Sequence, residues 1–157
     1  MIRTLSCSLA GLALWSSAAF AQALPSVDAV VDNETIPVRA DCTTRSFGDG
    51  FVSRADVDGN GRDDIVLNFS QVNCDGSATR YCSDEGCSVV IYLQDEQGRF
   101  EYLDKFPAMN VAFDQPNAMW PSFSVTVGGP DCRKGAFQSC LRRYEIRHGK
   151  LWLRRQG

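Results

Sequence analysis

The chain has 157 residues, 16 Lys and Arg against 19 Asp and Glu, one histidine and seven cysteines, for a net charge of −3. That length is enough for one domain with one core and too short for two of ordinary size. The mild negative balance excludes a nucleic-acid binder that works through the charge of the whole domain.

At the start, Arg3 supplies a short positive region and Leu5 to Phe20 carries no charge. Ala19-Phe20-Ala21 then offers the small-x-small pattern of a cleavage site, with a cut after Ala23 as the near alternative. The apolar run is about 16 residues, short of the ~20 that span a bilayer. Residues 1–21 are therefore expected to be a secretory signal peptide, leaving a chain with no membrane span and Cys7 discarded. Residues 22–41 contain Pro25 and Pro37 among scattered acids and read as an extended lead-in with one edge strand.

From Cys42 to the end, residues 42–157 read as one disulfide-bonded β domain. Short β-like runs alternate with Gly, Asp and Asn clusters. Strands are expected at Phe51–Ala55, Ile65–Phe69, Ser88–Gln94, Arg99–Leu103, Phe123–Val127, Leu141–Arg147 and Lys150–Arg154. No window of about 12 residues carries an apolar stripe at helical spacing, so few or no long helices are expected. The fold class is mainly β: a small single-domain antiparallel sheet or meander with three disulfides.

Between the first two strands lies Asp56-Val57-Asp58-Gly59-Asn60-Gly61-Arg62-Asp63-Asp64. Side-chain oxygens fall at alternate positions, Asp56, Asp58 and Asn60, and again at Asp64; the Arg62 main-chain carbonyl can add another. Gly59 and Gly61 let the backbone bend sharply enough for these groups to converge. Such a set suits a hard cation that takes six to eight oxygens, namely structural Ca²⁺. The competing reading is an Asp/Asn/Gly turn without metal. An EF-hand is excluded, because its bidentate Glu would fall where Leu67 stands.

Further along, Val89 to Leu93 and Phe100 to Leu103 form a hairpin through Asp95-Glu96-Gln97-Gly98, with Gly98 taking the positive φ. Met109 to Pro121, rich in Asn, Pro and Met with Trp120, reads as a loop over the core. The last hairpin turns at His148-Gly149, so that Arg147 faces Lys150, Ile146 faces Leu151, Glu145 faces Trp152 and Tyr144 faces Leu153. This register gathers Tyr144, Ile146, Leu151 and Leu153 on one face, and a one-residue slip would scramble it. The other face carries Arg143, Glu145, Arg147, Lys150, Trp152 and Arg154. Tryptophan and arginine are enriched at binding hot spots, which makes Arg143, Arg147, Lys150, Trp152 and Arg154 a candidate binding face. Its ligands would be an acidic partner protein, an anionic envelope polymer or lipid headgroups. The plainer reading is a solvated sheet face with Trp152 covered by the loop around Trp120.

Six cysteines remain after the signal: Cys42, Cys74, Cys82, Cys87, Cys132 and Cys140. In an exported chain an even number implies three disulfides. Cys132–Cys140 is the preferred local loop, with Cys74, Cys82 and Cys87 sharing partners among themselves and Cys42. A zinc cage is poorly supported, since Cys82 and Cys87 have no second close pair and no nearby histidine.

The run from Phe51 to Leu67 resembles the calcium-loop repeat of integrin-type (FG-GAP/VCBS) β-propeller blades. Val89 to Leu93 and Gly98-Arg99-Phe100 look like the outer strands of the same blade. The resemblance implies Ca²⁺ held by Asp56, Asp58, Asn60 and Asp64 between two antiparallel strands. It covers about 50 residues and occurs once, so a propeller is not implied. The whole chain also looks similar to small cysteine-rich periplasmic proteins of proteobacteria, which implies a Gram-negative periplasmic location.

Catalytic signatures are thin. His148 stands at a turn, and no Gly-x-Ser-x-Gly elbow or His-Glu-x-x-His helix occurs. The expected function is a non-enzymatic, calcium-stapled binding or accessory module. The alternatives are an inhibitor or immunity-like protein, which would insert its Cys82–Cys87 loop into an envelope-acting hydrolase, and a small hydrolase, which would need clustered acids of raised pKa in a cleft.

Overall fold

A computed structural model of the chain describes residues 23–113, 121–129, 132 and 139–154. Residues 1–21, expected to be a signal peptide, and Trp120 with most of its loop lie outside the described residues. Two short helices, α1 (Val27–Glu34) and α2 (Ile36–Asp41), precede eleven strands. These are β1 (Arg45–Phe47), β2 (Val52–Ala55), β3 (Asp64–Asn68), β4 (Val72–Cys74), β5 (Cys82–Ser83) and β6 (Gly86–Gln94). There follow β7 (Phe100–Ala108), β8 (Asn110–Phe113), β9 (Ser122–Val127), β10 (Cys140–Arg147) and β11 (Lys150–Arg154). Every pairing is antiparallel.

The first sheet runs β2-β3-β6-β5, with β7 also paired to β6; the second runs β11-β10-β9-β8, and β1 and β4 form a separate ribbon. The first sheet is the middle layer. Ile65, Leu67, Val90 and Tyr92 point to one side, where they meet Val30 of α1 and Val38 of α2. Val66, Val89 and Ile91 point to the other, against Phe123, Val125, Val127 and Ile146 of the second sheet. Unbroken apolar runs such as Ile65-Val66-Leu67 follow from this position, because a strand covered on both faces has no polar side to present. Each such buried side chain contributes about 1.5–3 kcal/mol. Phe106 of β7 stacks with Phe123 and Tyr144 at centroid distances of 5.8 Å each, tying the two sheets together.

Within the expected extended lead-in, residues 27–41 form the two helices instead. Ser26 caps α1, its Oγ accepting from the Ala29 N–H at 3.2 Å. Pro37 stands in the first turn of α2, where a missing N–H costs nothing. Each helix has eight residues or fewer, too short to show a stripe over three turns. The stretch from Met109 onwards, expected to be a loop, also contains β8, paired with β9. And β7 does not stop at Leu103 but continues to Ala108; Pro107 is tolerated because β7 pairs with β6 alone among the described strands.

Both hairpins have the expected turns. Gly98 has φ +76°, while His148 and Gly149 have φ +52° and +67°, the two positive values of a type I′ turn. The last hairpin pairs Arg147 with Lys150, Ile146 with Leu151, Glu145 with Trp152 and Tyr144 with Leu153, as its pattern requires. Three disulfides form, Cys42–Cys74, Cys82–Cys87 and Cys132–Cys140.

Candidate metal centre

The turn from β2 to β3 is built by its own carboxylates. Asp56 accepts the N–H of Asn60 and of Gly61, at 2.9 Å each, and Asp58 accepts that of Asn60 at 3.1 Å. Gly59 and Gly61 take φ of +73° and +82°, which L side chains rarely adopt. The result is a tight coil in which Asp56, Asp58 and Asp64 each bring an oxygen within 4.8 Å of the others. This cluster can hold a metal ion.

Asp64 is its buried member, with no exposed surface. One carboxylate oxygen accepts the Val57 N–H and the other the Gln94 N–H, both at 2.8 Å. Burial pushes its pKa up to about 6 against the pull of those two N–H groups, and the neighbouring charge of Asp58 adds to the rise. A cation at the cluster would favour the charged form and reverse this effect.

The other expected ligands, Asn60 and the Arg62 main-chain carbonyl, belong to the same turn between β2 and β3. Asn60 enters through its amide nitrogen, which donates to Asp58 at 2.9 Å, while its Oδ1 accepts the Arg62 N–H at 2.8 Å. Arg62 sends its side chain across to the Gln94 carbonyl at 3.2 Å. Gln94 therefore supports the centre with both its backbone groups, a role its residue type does not signal. Its role depends on β6 lying beside β3, a pairing of residues some 30 positions apart.

The coil is also seated on the second sheet. A Cβ at Gly59 would lie 2.8 Å from Cγ of Pro121, the residue before β9. An open depression beside the cluster is bordered by Asp58, Asp95, Glu96, Glu101 and Gly149.

Elsewhere, the outer face of β10–β11 presents Trp152 with 56 % of its surface exposed. Across from it Glu145 is buried and pairs with Arg147 and, at 3.6 Å, with Arg154. Arg143 and Lys150 are exposed on the same face. The Cys82–Cys87 turn is only partly offered to solvent. Ser83 and Asp84 are exposed, but the Glu85 carbonyl accepts the Gly128 N–H at 3.0 Å, and Gly86 is buried against Ala108 and Met109. Asp64, the acid of raised pKa, is out of reach of any substrate, since it is fully enclosed with both oxygens engaged.

No protein-family model, curated protein or solved structure matches the chain. Among the described residues no helix is long and apolar enough to cross a membrane. Three disulfides place the folded chain outside the reducing cytoplasm.

Proposed function

We propose that this protein is an exported, non-enzymatic binding module of the Gram-negative periplasm, stapled by one structural Ca²⁺, whose β10–β11 face docks an anionic envelope polymer. The observation that carries the binding role is Trp152, half-exposed on a face where Glu145 is the one acid facing Arg143, Arg147, Lys150 and Arg154. An exposed indole offers a flat surface to a sugar ring, and neighbouring guanidinium groups pair with phosphate or carboxylate in a fork. Ca²⁺ fits the cluster better than Mg²⁺: it accepts carboxylate oxygens in varied arrangements, whereas Mg²⁺ demands near-ideal octahedral geometry. The Asp-rich turn between antiparallel β2 and β3 also supports reading this segment as a single FG-GAP/VCBS-type loop.

Titration calorimetry against a phosphorylated polysaccharide and against polyglutamate tests the binding role. The parent is expected to bind the polysaccharide with an affinity that falls as salt rises, and Trp152→Ala to weaken it at least ~10-fold, as for a hot spot. Equal binding by the parent and Trp152→Ala would sink the assignment. Preference for polyglutamate would point instead to an acidic envelope protein.

A further inference from the structure

Three disulfides staple this chain, and they differ in access. Cys42 and Cys74 are buried at 5 and 4 % exposure, and Cys132 at 7 % with its partner Cys140 partly exposed, whereas Cys82 and Cys87 are both partly exposed. Cys82 and Cys87 are directly opposed residues of β5 and β6, and the next pair along is joined by the Ser88 N–H to Tyr81 carbonyl bond at 3.0 Å. Cys82 also lines an open groove with Tyr81, Ser83, Ser88, Lys105 and Phe106. Lys105, whose Nζ lies 5.3 Å from the centroid of the Phe69 ring, stands at the border of that groove.

What this bridge holds is specific. It closes the turn whose tip clasps the second sheet: Glu85 accepts the Gly128 N–H, and a Cβ at Gly128 would lie 2.3 Å from the Asp84 carbonyl oxygen. On the other side, a Cβ at Gly86 would meet the Ala108 carbonyl carbon at 2.2 Å, so only glycine permits this approach. We infer that the Cys82–Cys87 bridge is a thiol–disulfide exchange site for a dithiol, entered through this groove, and that its opening releases the tip from Gly128.

The exchange balances as follows. A thiolate of the dithiol attacks Cys82 Sγ, the Cys82–Cys87 bond breaks, and its electron pair leaves on Cys87 Sγ, which takes a proton from water. The second thiolate of the dithiol then attacks the mixed disulfide and expels Cys82 as a thiolate, which is protonated in turn. Two electrons pass to the protein, leaving two thiols, and the dithiol becomes a disulfide. Because the other bridges stay closed, the three-layer core remains assembled while one inter-sheet contact is lost.

The test uses the oxidised full domain, dithiothreitol as the probe, and timed alkylation with peptide mapping. Cys82 and Cys87 are expected to label at least ~10-fold faster than the other four cysteines, since theirs is the bridge with both residues partly exposed and a groove leading to it. Amide exchange at Gly128 should rise to a similar extent on reduction, and a Cys82→Ser/Cys87→Ser variant should show the same raised exchange without any reductant. Earlier opening of Cys42–Cys74 or Cys132–Cys140, or simultaneous opening of all three with loss of the fold, would overturn the exchange site. Selective opening with unchanged exchange at Gly128 would overturn the clasp.

Discussion

Asp64 concentrates the chemistry of the candidate metal centre in one side chain. It is enclosed, it organises two loops through the Val57 and Gln94 N–H groups, and without a cation its pKa stands near 6 instead of the ordinary 3.8. The folded state thus keeps a proton that the unfolded chain loses from about pH 4 upwards. In metal-free protein, the stability contributed by protonated Asp64 is fully present below pH ~4 and is lost as pH rises through ~6. Comparison with Asp64→Asn, which does not titrate, isolates this effect. In chelator, the stability of the parent minus that of the variant should fall by about 2–3 kcal/mol across the window. Denaturant unfolding at a series of pH values reads it directly, and a flat difference would show that the carboxylate ionises freely. Three of the cluster's carboxylate positions were legible from spacing alone, because alternate residues of a glycine-bent turn must converge. The tilt of the Asn60 amide was not, since it depends on hydrogen bonds with Asp58 and Arg62 that several rotamers could make.

Among the elements, those whose pattern serves a single buried face could be read in advance. The β10–β11 register was fixed by four apolar residues that must share a side, and His148-Gly149 is the kind of pair that a two-residue turn requires. The helices escaped notice because their stability comes from the core and not from periodicity. Val30 and Val38 are fully buried, while the Tyr92 hydroxyl donates to Glu34 at 2.6 Å and so fastens α1 to β6. The Cys42–Cys74 bridge secures the same layer from the end of α2 to β4. It closes a segment of 32 residues, against 5 for Cys82–Cys87. Chain-entropy reasoning then assigns it about 4 kcal/mol and the shorter bridge about 2 kcal/mol. Replacing each pair by serine and measuring unfolding in urea should reproduce that order. A larger loss from removing Cys82 and Cys87 would mean that the inter-sheet clasp outweighs loop closure.

At the scale of the molecule, β9 is held at both ends by turns of the first sheet. The Asp-rich coil rests on Pro121 before it, and the tip of the Cys82–Cys87 turn is bonded to Gly128 after it. The middle of the strand, Phe123, Val125 and Val127, is buried against the same sheet. Neither grip could be foreseen from sequence, because each joins residues far apart along the chain, Gly59 with Pro121 and Gly128 with Glu85, whose types signal at most a turn. An ion in the coil would do more than relieve local repulsion, since it would fix the loop that seats β9. Thermal unfolding in millimolar Ca²⁺ and in chelator, for the parent and for Asp58→Ala, puts this to the test. The parent should melt several degrees higher with calcium, in keeping with the ~4–8 °C that 1 kcal/mol yields in a domain somewhat smaller than this, and Asp58→Ala should not respond. Identical melting of the parent in calcium and chelator, or an equal rise in the variant, would contradict a structural ion at Asp56, Asp58 and Asp64.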